Sequence, residues 1–341
     1  MTLYYKEASS VASKRSDRRE QLFSLYASNL SLYHPEITDK FLCPVCRFLF
    51  AKEALITNPP DLVLAHLIPQ SLKRGGLCTL TCRKCDSNVG SVFDSHVATE
   101  KRIREWEQGA TAISGRLKHK SGHVGVEISR NGSAFHFRHI PQQSPPESWE
   151  QFLEAAASDW SNVDFSLTVR VYHPAKRNIS LLYSAFLTMF YYFGYEYILS
   201  PNTDCVRRGI QGNSAFRDWH KAIFPLRGAP SEVLSPLPTV SIVVEPKNLR
   251  SFLVVLPSPK KDEAARCVLL PGFGGDGEDA YNRILNLTRP PGNLNAVLIP
   301  NNPSPRLASV EYKWFGHWLW RKFIGQPAHQ DGQRGLVNDV T

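Results

Sequence analysis

Two pairs of cysteines with the same spacing constrain this sequence more than any other feature. The first pair is Cys43-Pro-Val-Cys46 and the second is Cys82-Arg-Lys-Cys85. Four thiolates from two such loops can surround one Zn²⁺ tetrahedrally, and a shell of four sulfurs leaves no position open for a substrate. The sequence therefore predicts a structural zinc clip, which ties two distant loops together and links metal binding to folding.

The other three cysteines and the start of the chain bear on the compartment. Cys78 lies near the second pair and is the rival zinc ligand, whereas Cys205 and Cys267 are interpreted as core residues. The total of seven cysteines is odd, and four of them form two C-x-x-C pairs; both features argue against a disulfide framework. The opening residues, MTLYYKEASSVASKRSDRRE, lack the apolar core of a secretory signal. Together these features predict a cytoplasmic location.

Charge and hydropathy indicate the class of partner. Forty Lys and Arg against thirty-one Asp and Glu give a formal net charge of +9. Such a surplus favours a polyanion as partner, nucleic acid first and an anionic membrane second. The most apolar run, Ile179 to Leu199, contains Glu196 and several Ser and Tyr residues, which predicts a buried helix of a soluble protein rather than a membrane span.

Changes in composition divide the chain into six predicted segments. In chain order these are an N-terminal helical arm (1–40), a zinc-clipped domain (41–110), a β-hairpin and helical accessory region (111–225), a linker (226–239), a mixed or mainly β unit (240–325) and a loose tail (326–341). Asn131-Gly132 between two alternating runs predicts the hairpin. The predicted fold class is α+β.

The residues around the second cysteine pair suggest a catalytic role. Leu62 to Ala65 is predicted to form a buried strand with His66 at its end. After Cys85, the run from Ser87 to Arg104 can form a helix, and Asp94 then lies about two turns beyond Asp86.

This pattern resembles the HNH endonuclease family, and more closely its zinc-containing members with a ββα-metal core. The resemblance rests on two C-x-x-C pairs around a strand that ends in His-Leu-Ile-Pro, and it covers Cys43 to Arg104, less than a fifth of the chain. It implies a ββα-metal core with a helical segment and the small β unit appended. It also implies hydrolysis of DNA phosphodiester bonds, with RNA as an alternative substrate.

The resemblance assigns a role to each site residue. His66 matches the general base that activates water. Asp86 stands where the family usually has Asn and would be an oxygen ligand of a catalytic Mg²⁺ or Mn²⁺. Asp94 or His96 matches the third motif position, as metal ligand or leaving-group acid. Asn88 would supply the motif amide if the register differs by two residues.

One departure from the family pattern leaves a second reading open. The residue before the histidine is commonly Asp, Glu or His, and here it is Ala65. We hypothesise an exchange in which the carboxylate missing at position 65 is regained at Asp86. The alternative is a catalytically inactive zinc module that binds nucleic acid or a protein partner. The large appended region suits restriction or antiphage defence in bacteria, in which a partner protein can take part.

A tryptophan-rich run, WFGHWLWRKF, lies near the C-terminus. Such a run can pack into a core or offer aromatic rings on which nucleic-acid bases stack. We interpret it as a core-packing helix.

Overall fold

A computed structural model describes ten ranges of the chain: 2–69, 77–120, 122–169, 172–225, 237–246, 249–257, 265–274, 277–286, 295–299 and 307–324. These residues form two compact units. The first combines Met1–Asp94 with Ala175–Thr341, and the second is Ser95–Pro174. Both units mix helices with small antiparallel sheets, so the predicted α+β class is confirmed.

The N-terminal part of the first unit contains one long helix, two strand pairs and the start of a second helical stretch. Its elements are α1 (Thr2–Ser31), β1 (Lys40–Leu42), β2 (Leu49–Ala51), a 3₁₀ turn (Lys52–Leu55), β3 (Leu62–His66), β4 (Cys78–Cys82), α2 (Arg83–Cys85), a π-helical stretch (Asp86–Ser91) and α3 (Val92–Glu107). β1 pairs with β2 and β3 with β4, both antiparallel. The helix predicted from Ser87 to Arg104 is part of a longer helical stretch, which begins at Arg83 and ends at Glu107.

The rest of the first unit is a helical stretch followed by a sheet. The helices are α5 (Pro174–Phe193), α6 (Tyr195–Ile198), α7 (Asp204–Ile210), α8 (Gly277–Leu285) and α9 (Phe315–Ile324). The strands are β9 (Ile223–Pro225), β10 (Thr239–Glu245), β11 (Ser251–Leu256), β12 (Arg266–Pro271) and β13 (Asn295–Leu298). They form one antiparallel sheet in the order β13-β10-β11-β12-β9.

One hydrophobic core joins the two halves of the first unit. Tyr26 of α1 stacks on Phe190 of α5 with ring centroids 4.2 Å apart, and both pack near Phe41 of β1. On the other side of α5 and α6, Phe193 and Tyr197 contact Phe252 of β11. The apolar run at 179–199 is thus a buried helical pair between α1 and the sheet, as predicted.

The turn between α5 and α6 depends on a glycine. Gly194 has φ of +57°, and a Cβ there would overlap the side-chain amide of Asn29. That amide accepts a hydrogen bond from the Tyr195 backbone N–H at 2.8 Å and donates one to the Leu307 carbonyl at 2.6 Å. Asn29 therefore links α1, α6 and the segment before α9.

The second unit is a four-stranded sheet with one helix of its own and the part of α3 after Asp94. Its elements are β5 (Ile113–His119), β6 (Gly122–Asn131), β7 (Ala134–His139), α4 (Pro146–Ala157), a 3₁₀ turn (Trp160–Asn162) and β8 (Asp164–Leu167), with the sheet order β7-β6-β5-β8. Asn131 pairs with Ala134, so the hairpin predicted at Asn131-Gly132 is confirmed. The core contains Val124, Val126 and Ile128 on one side of β6, packed with Phe152 and Trp106.

The six predicted segments do not coincide with the two units. The predicted β unit and much of the accessory region belong with the cysteine pairs in the first unit, because α5 and α6 bury side chains from both. Most of the predicted linker and all of the predicted tail lie outside the described residues. Within the described ranges, no helix is long and apolar enough to cross a membrane.

Candidate functional site

The four cysteines of the two C-x-x-C pairs lie together. The Sγ atoms of Cys43, Cys46, Cys82 and Cys85 are all within 4.8 Å of one another, and the Cys46 and Cys82 sulfurs are 3.7 Å apart. In a tetrahedron of thiolates at about 2.3 Å from Zn²⁺, neighbouring sulfurs are about 3.8 Å apart. The cluster therefore has the donors and spacing to bind a metal such as zinc. Cys78 is not part of it, and Cys205 and Cys267 are buried elsewhere, as predicted.

The thiols of the cluster are close enough to shift one another's pKa. Burial raises the pKa of the Cys43 thiol well above its usual value, whereas hydrogen bonds with neighbouring thiols lower the pKa of Cys46 and of Cys82. A divalent cation opposes the effect of burial, because it binds and stabilises the thiolate form. The fit of the cluster to a metal therefore comes from the chemistry of its donors as well as from its geometry.

Distant parts of the chain hold the first cysteine loop. The Tyr195 hydroxyl donates to the Leu42 carbonyl at 2.6 Å and accepts from the Leu42 N–H at 2.9 Å, next to Cys43. Arg47 follows the loop with φ of +57° and lies 3.5 Å from Asp204 of α7. Gln211 donates to the Val45 carbonyl at 3.2 Å. These contacts fix the loop from α6 and α7.

His66 ends the strand pair that leads to the second cysteine loop. Its cross-strand partner is Cys78, whereas Leu62 at the other end pairs with Cys82. Burial lowers the pKa of His66, and the charge of Arg15 lowers it further. Arg15 and Arg18 of α1 also lower the pKa of Cys78, although burial raises it overall. The end of the ribbon therefore carries a neutral imidazole in a positive field.

Ala65 is a packing residue. It is buried and pairs with Thr79, whose hydroxyl shares a hydrogen bond of 2.7 Å with the Tyr26 hydroxyl. Neighbouring residues in a strand point to opposite faces, so residue 65 faces away from His66 and toward α1. A carboxylate at this position would be buried beside Tyr26, which is unfavourable.

Asp86 and Asp94 lie on the helical stretch that follows Cys85. Asp86 is half-buried, and burial raises its pKa to about 6; the charge of Asp94 raises it further and Arg83 opposes the shift. Asp94 accepts a hydrogen bond of 2.7 Å from the Ser180 hydroxyl of α5. The two carboxylates are near enough for the charge of one to shift the pKa of the other. The hydrogen bond from Ser180 gives Asp94 a structural contact as well.

Asn88 and His96 have surroundings different from those of Asp86. Asn88 is exposed and lines a cavity of about 780 Å³. The same cavity is lined by Phe48 and Phe50 and by three cysteines of the cluster, Cys46, Cys82 and Cys85. Residues two apart on a helix point to nearly opposite sides, so Asn88 does not face the same side as Asp86. His96 belongs to the second unit, where its ring lies 5.4 Å from that of His173.

The cysteine cluster is the one group of three or more metal-binding side chains that the described residues bring together. The described positions of His66, Asp86 and Asp94 do not form a second such group. Their assignment as a catalytic set stays a prediction.

Two residues beside this site were not predicted from the sequence. Ser180 binds Asp94, and Tyr183 is buried near Asp86, whose charge adds to the effect of burial in raising the pKa of the tyrosine. The Tyr183 hydroxyl and the neighbouring Thr81 hydroxyl are buried polar groups. These residues could have been found from the sequence, because polar side chains recur at helical spacing within the apolar run, at Ser180, Tyr183 and Ser184.

Comparison of the chain with protein-family models, with curated proteins and with solved structures gives no match. The assignment of function therefore depends on the residues and their arrangement.

Proposed function

We propose that the protein is a metal-dependent endonuclease that hydrolyses phosphodiester bonds of nucleic acid. The observation that carries the proposal is the order and geometry of three elements. An antiparallel ribbon, β3–β4, carries His66 at the end where β3 leads into β4. A helical stretch with Asp86 follows β4 directly, and the four-cysteine cluster includes Cys82 and Cys85 at the junction of ribbon and helix. A structural Zn²⁺ in that cluster would hold the junction rigid.

His66 is the proposed general base. A general base must be unprotonated at the working pH, and burial lowers the pKa of His66 so that the neutral form prevails near pH 7. Its imidazole would take the proton of the water that attacks phosphorus. His66 is half-buried at the end of β3, opposite Cys78.

Asp86 is the proposed ligand of a catalytic Mg²⁺ or Mn²⁺. Mg²⁺ keeps several waters and is commonly held by one or two carboxylates together with phosphate oxygens of the substrate, so it does not need a dense group of side chains. The charge of a second carboxylate, Asp94, acts on Asp86, and Arg83 opposes it. A divalent cation bound there would neutralise negative charge that develops on the phosphate.

The positive charges of Arg15 and Arg18 favour a polyanionic substrate. Both are exposed on α1, and their charges reach the His66 end of the ribbon. Together with the net charge of +9, they favour attraction of a nucleic-acid backbone to this side of the first unit. DNA is the first proposed substrate, and RNA is the alternative because the site chemistry does not select the sugar.

The second candidate is a zinc module that binds nucleic acid or a protein without cleaving. Two observations favour it: Ala65 is fixed by packing, and Asp94 is held by Ser180. Both would be expected if the helix and ribbon served only to support the cysteine cluster.

A cleavage assay separates the two candidates. The purified, zinc-loaded chain is incubated with supercoiled plasmid, single-stranded DNA or RNA, each with Mg²⁺, Mn²⁺ or no added metal. We expect conversion of the plasmid to open circles that depends on added Mg²⁺ or Mn²⁺. Binding of nucleic acid without cleavage under every metal would contradict the endonuclease proposal and support the second candidate.

A further inference from the structure

The C-terminal helix α9 is fixed with one side against the core. Its buried side carries Leu319 and Trp320, and the Trp320 ring lies so close to Gly272 that a Cβ there would overlap it. At the start of the helix, the buried carboxylate of Glu196 accepts hydrogen bonds from the backbone N–H groups of Gly316, at 2.9 Å, and His317, at 2.7 Å. A carboxylate at a helix N-terminus is favourable. The orientation of α9 is therefore determined by buried contacts.

The other side of α9 presents aromatic rings to solvent. Trp314 is 48% exposed and Trp318 is 54% exposed, so the interpretation of the tryptophan-rich run as core-packing is wrong for these two residues. The rings of Tyr312, Phe315 and Trp318 are nearly parallel, at interplanar angles of 21° and 24°. Tyr312 ends a 3₁₀ turn (Val310–Tyr312) just before α9, and Phe315 and Trp318 follow on α9, so the three rings are spaced three residues apart along the chain.

Basic side chains lie over these exposed rings. Lys322 Nζ is 5.3 Å from the centre of Trp318, and Lys313 Nζ is 5.6 Å from the centre of Trp314. Arg321 is also exposed, and Glu311 is an exposed carboxylate nearby. We define the aromatic-basic surface as Tyr312, Lys313, Trp314, Phe315, Trp318 and Lys322.

We infer that the aromatic-basic surface binds single-stranded nucleic acid. Proteins that bind single strands combine aromatic rings, on which bases stack, with cations that follow the backbone. Here each of the two exposed Trp rings has a lysine ammonium group near its face, so aromatic rings and cations lie side by side on this surface. The inference rests on residues other than those of the proposed nuclease site and would stand if the chain did not cleave.

Two other partners fit the surface less well. The core of a protein–protein interface is depleted of lysine, whereas here lysines lie over the tryptophan rings themselves. A membrane-surface helix inserts a continuous apolar side, but the apolar side of α9, with Leu319 and Trp320, is buried in the protein. Charge and aromatic content together favour a nucleic-acid strand.

The test measures binding of a fluorescein-labelled twenty-nucleotide oligothymidylate by anisotropy, without added Mg²⁺ or Mn²⁺. Trp314→Ala and Trp318→Ala are each expected to raise Kd about tenfold, the size of effect expected when one base–aromatic stack is lost. Trp160→Ala is the matched control, since Trp160 is 49% exposed but belongs to the second unit. It is expected to leave Kd unchanged, and circular dichroism checks that each variant is folded.

A second oligonucleotide separates stacking from charge alone. An abasic strand of the same length keeps every phosphate and loses the bases, so the wild-type chain should bind it about 10²-fold more weakly, the combined effect of losing two stacks. The Trp318→Ala variant should discriminate less between the two strands than the wild type does. Equal binding of both strands by the wild type, or unchanged Kd in both Trp variants, would overturn the inference.

Two further measurements test whether the surface binds a membrane or a second copy of the chain instead. Sedimentation with phosphatidylserine vesicles and light scattering of the chain alone are measured for the wild type and Trp318→Ala. Loss of vesicle binding or of self-association in the variant, without a change in oligothymidylate binding, would assign the surface to a membrane or to a second copy instead. Because cleavage is not measured in any arm, the outcome is independent of the nuclease proposal.

Discussion

Cys82→Ser is expected to release the metal and to unfold the first unit. The substitution removes one of four thiolates from a cluster whose members are buried or half-buried. Structural zinc contributes about 10–16 kcal/mol in small zinc-binding peptides. Net stabilities of folded proteins are about 5–15 kcal/mol, so loss of the metal is comparable to the whole stability of the unit.

Metal content and thermal unfolding measure this effect. The wild type should contain one zinc per chain by atomic absorption, and Cys82→Ser should contain none and show no cooperative transition at the wild-type temperature. Cys78→Ala is the matched control, because Cys78 precedes the pair by four residues and lies outside the cluster. A Cys82→Ser protein that retained both its zinc and its transition would contradict the clip, as would loss of zinc in Cys78→Ala.

His66→Ala is expected to reduce metal-dependent cleavage by about 10²- to 10⁴-fold, the usual contribution of a general base. His66→Asn should lose a similar factor, because its amide cannot accept the proton. Zinc content and the Kd for plasmid DNA should stay at the wild-type values, since His66 lies outside the cysteine cluster.

The control and the pH profile make this prediction specific. His123→Ala changes an exposed histidine of the second unit and should leave the rate unchanged. A base is active when unprotonated, and burial lowers the pKa of His66, so the wild-type rate should fall on acidification and at a lower pH than an exposed histidine would give. The Asp86 carboxyl, whose pKa burial raises to about 6, should contribute to the same fall. Full activity of His66→Ala at neutral pH would contradict the assigned role.

The parts that could be predicted from the sequence are those that depend on local spacing. The C-x-x-C pairs predicted the four-cysteine cluster, and Asn131-Gly132 predicted the hairpin. The region predicted as a mixed or mainly β unit contains the strands β10 to β13 and the helix α8. In each case the signal lies within a few residues, where turn chemistry and side-chain periodicity determine the conformation.

The parts that could not be predicted depend on contacts between distant residues. Tyr195 holds Leu42, Asp204 lies beside Arg47, and Ser180 binds Asp94, across separations that no local pattern encodes. For the same reason, the predicted division placed the β unit apart from the cysteine pairs, although α5 and α6 join both in one core.

The tryptophan-rich run shows a related limit of sequence patterns. Its residues are apolar on nearly every side, and only the contacts of Trp320 with Gly272 and of Glu196 with the helix start determine which rings are exposed. The pattern therefore predicted the helix but not the orientation of Trp314 and Trp318.

The central claim is that Asp86 supplies the metal-binding carboxylate that Ala65 cannot provide. Calorimetric titration of the zinc-loaded chain with Mn²⁺ tests it most directly, with Asp39→Asn as an exposed aspartate control on the same unit. We predict one Mn²⁺ site per chain in the wild type and in Asp39→Asn, and loss of that site in Asp86→Asn. The same Mn²⁺ affinity in Asp86→Asn and in the wild type would contradict the claim.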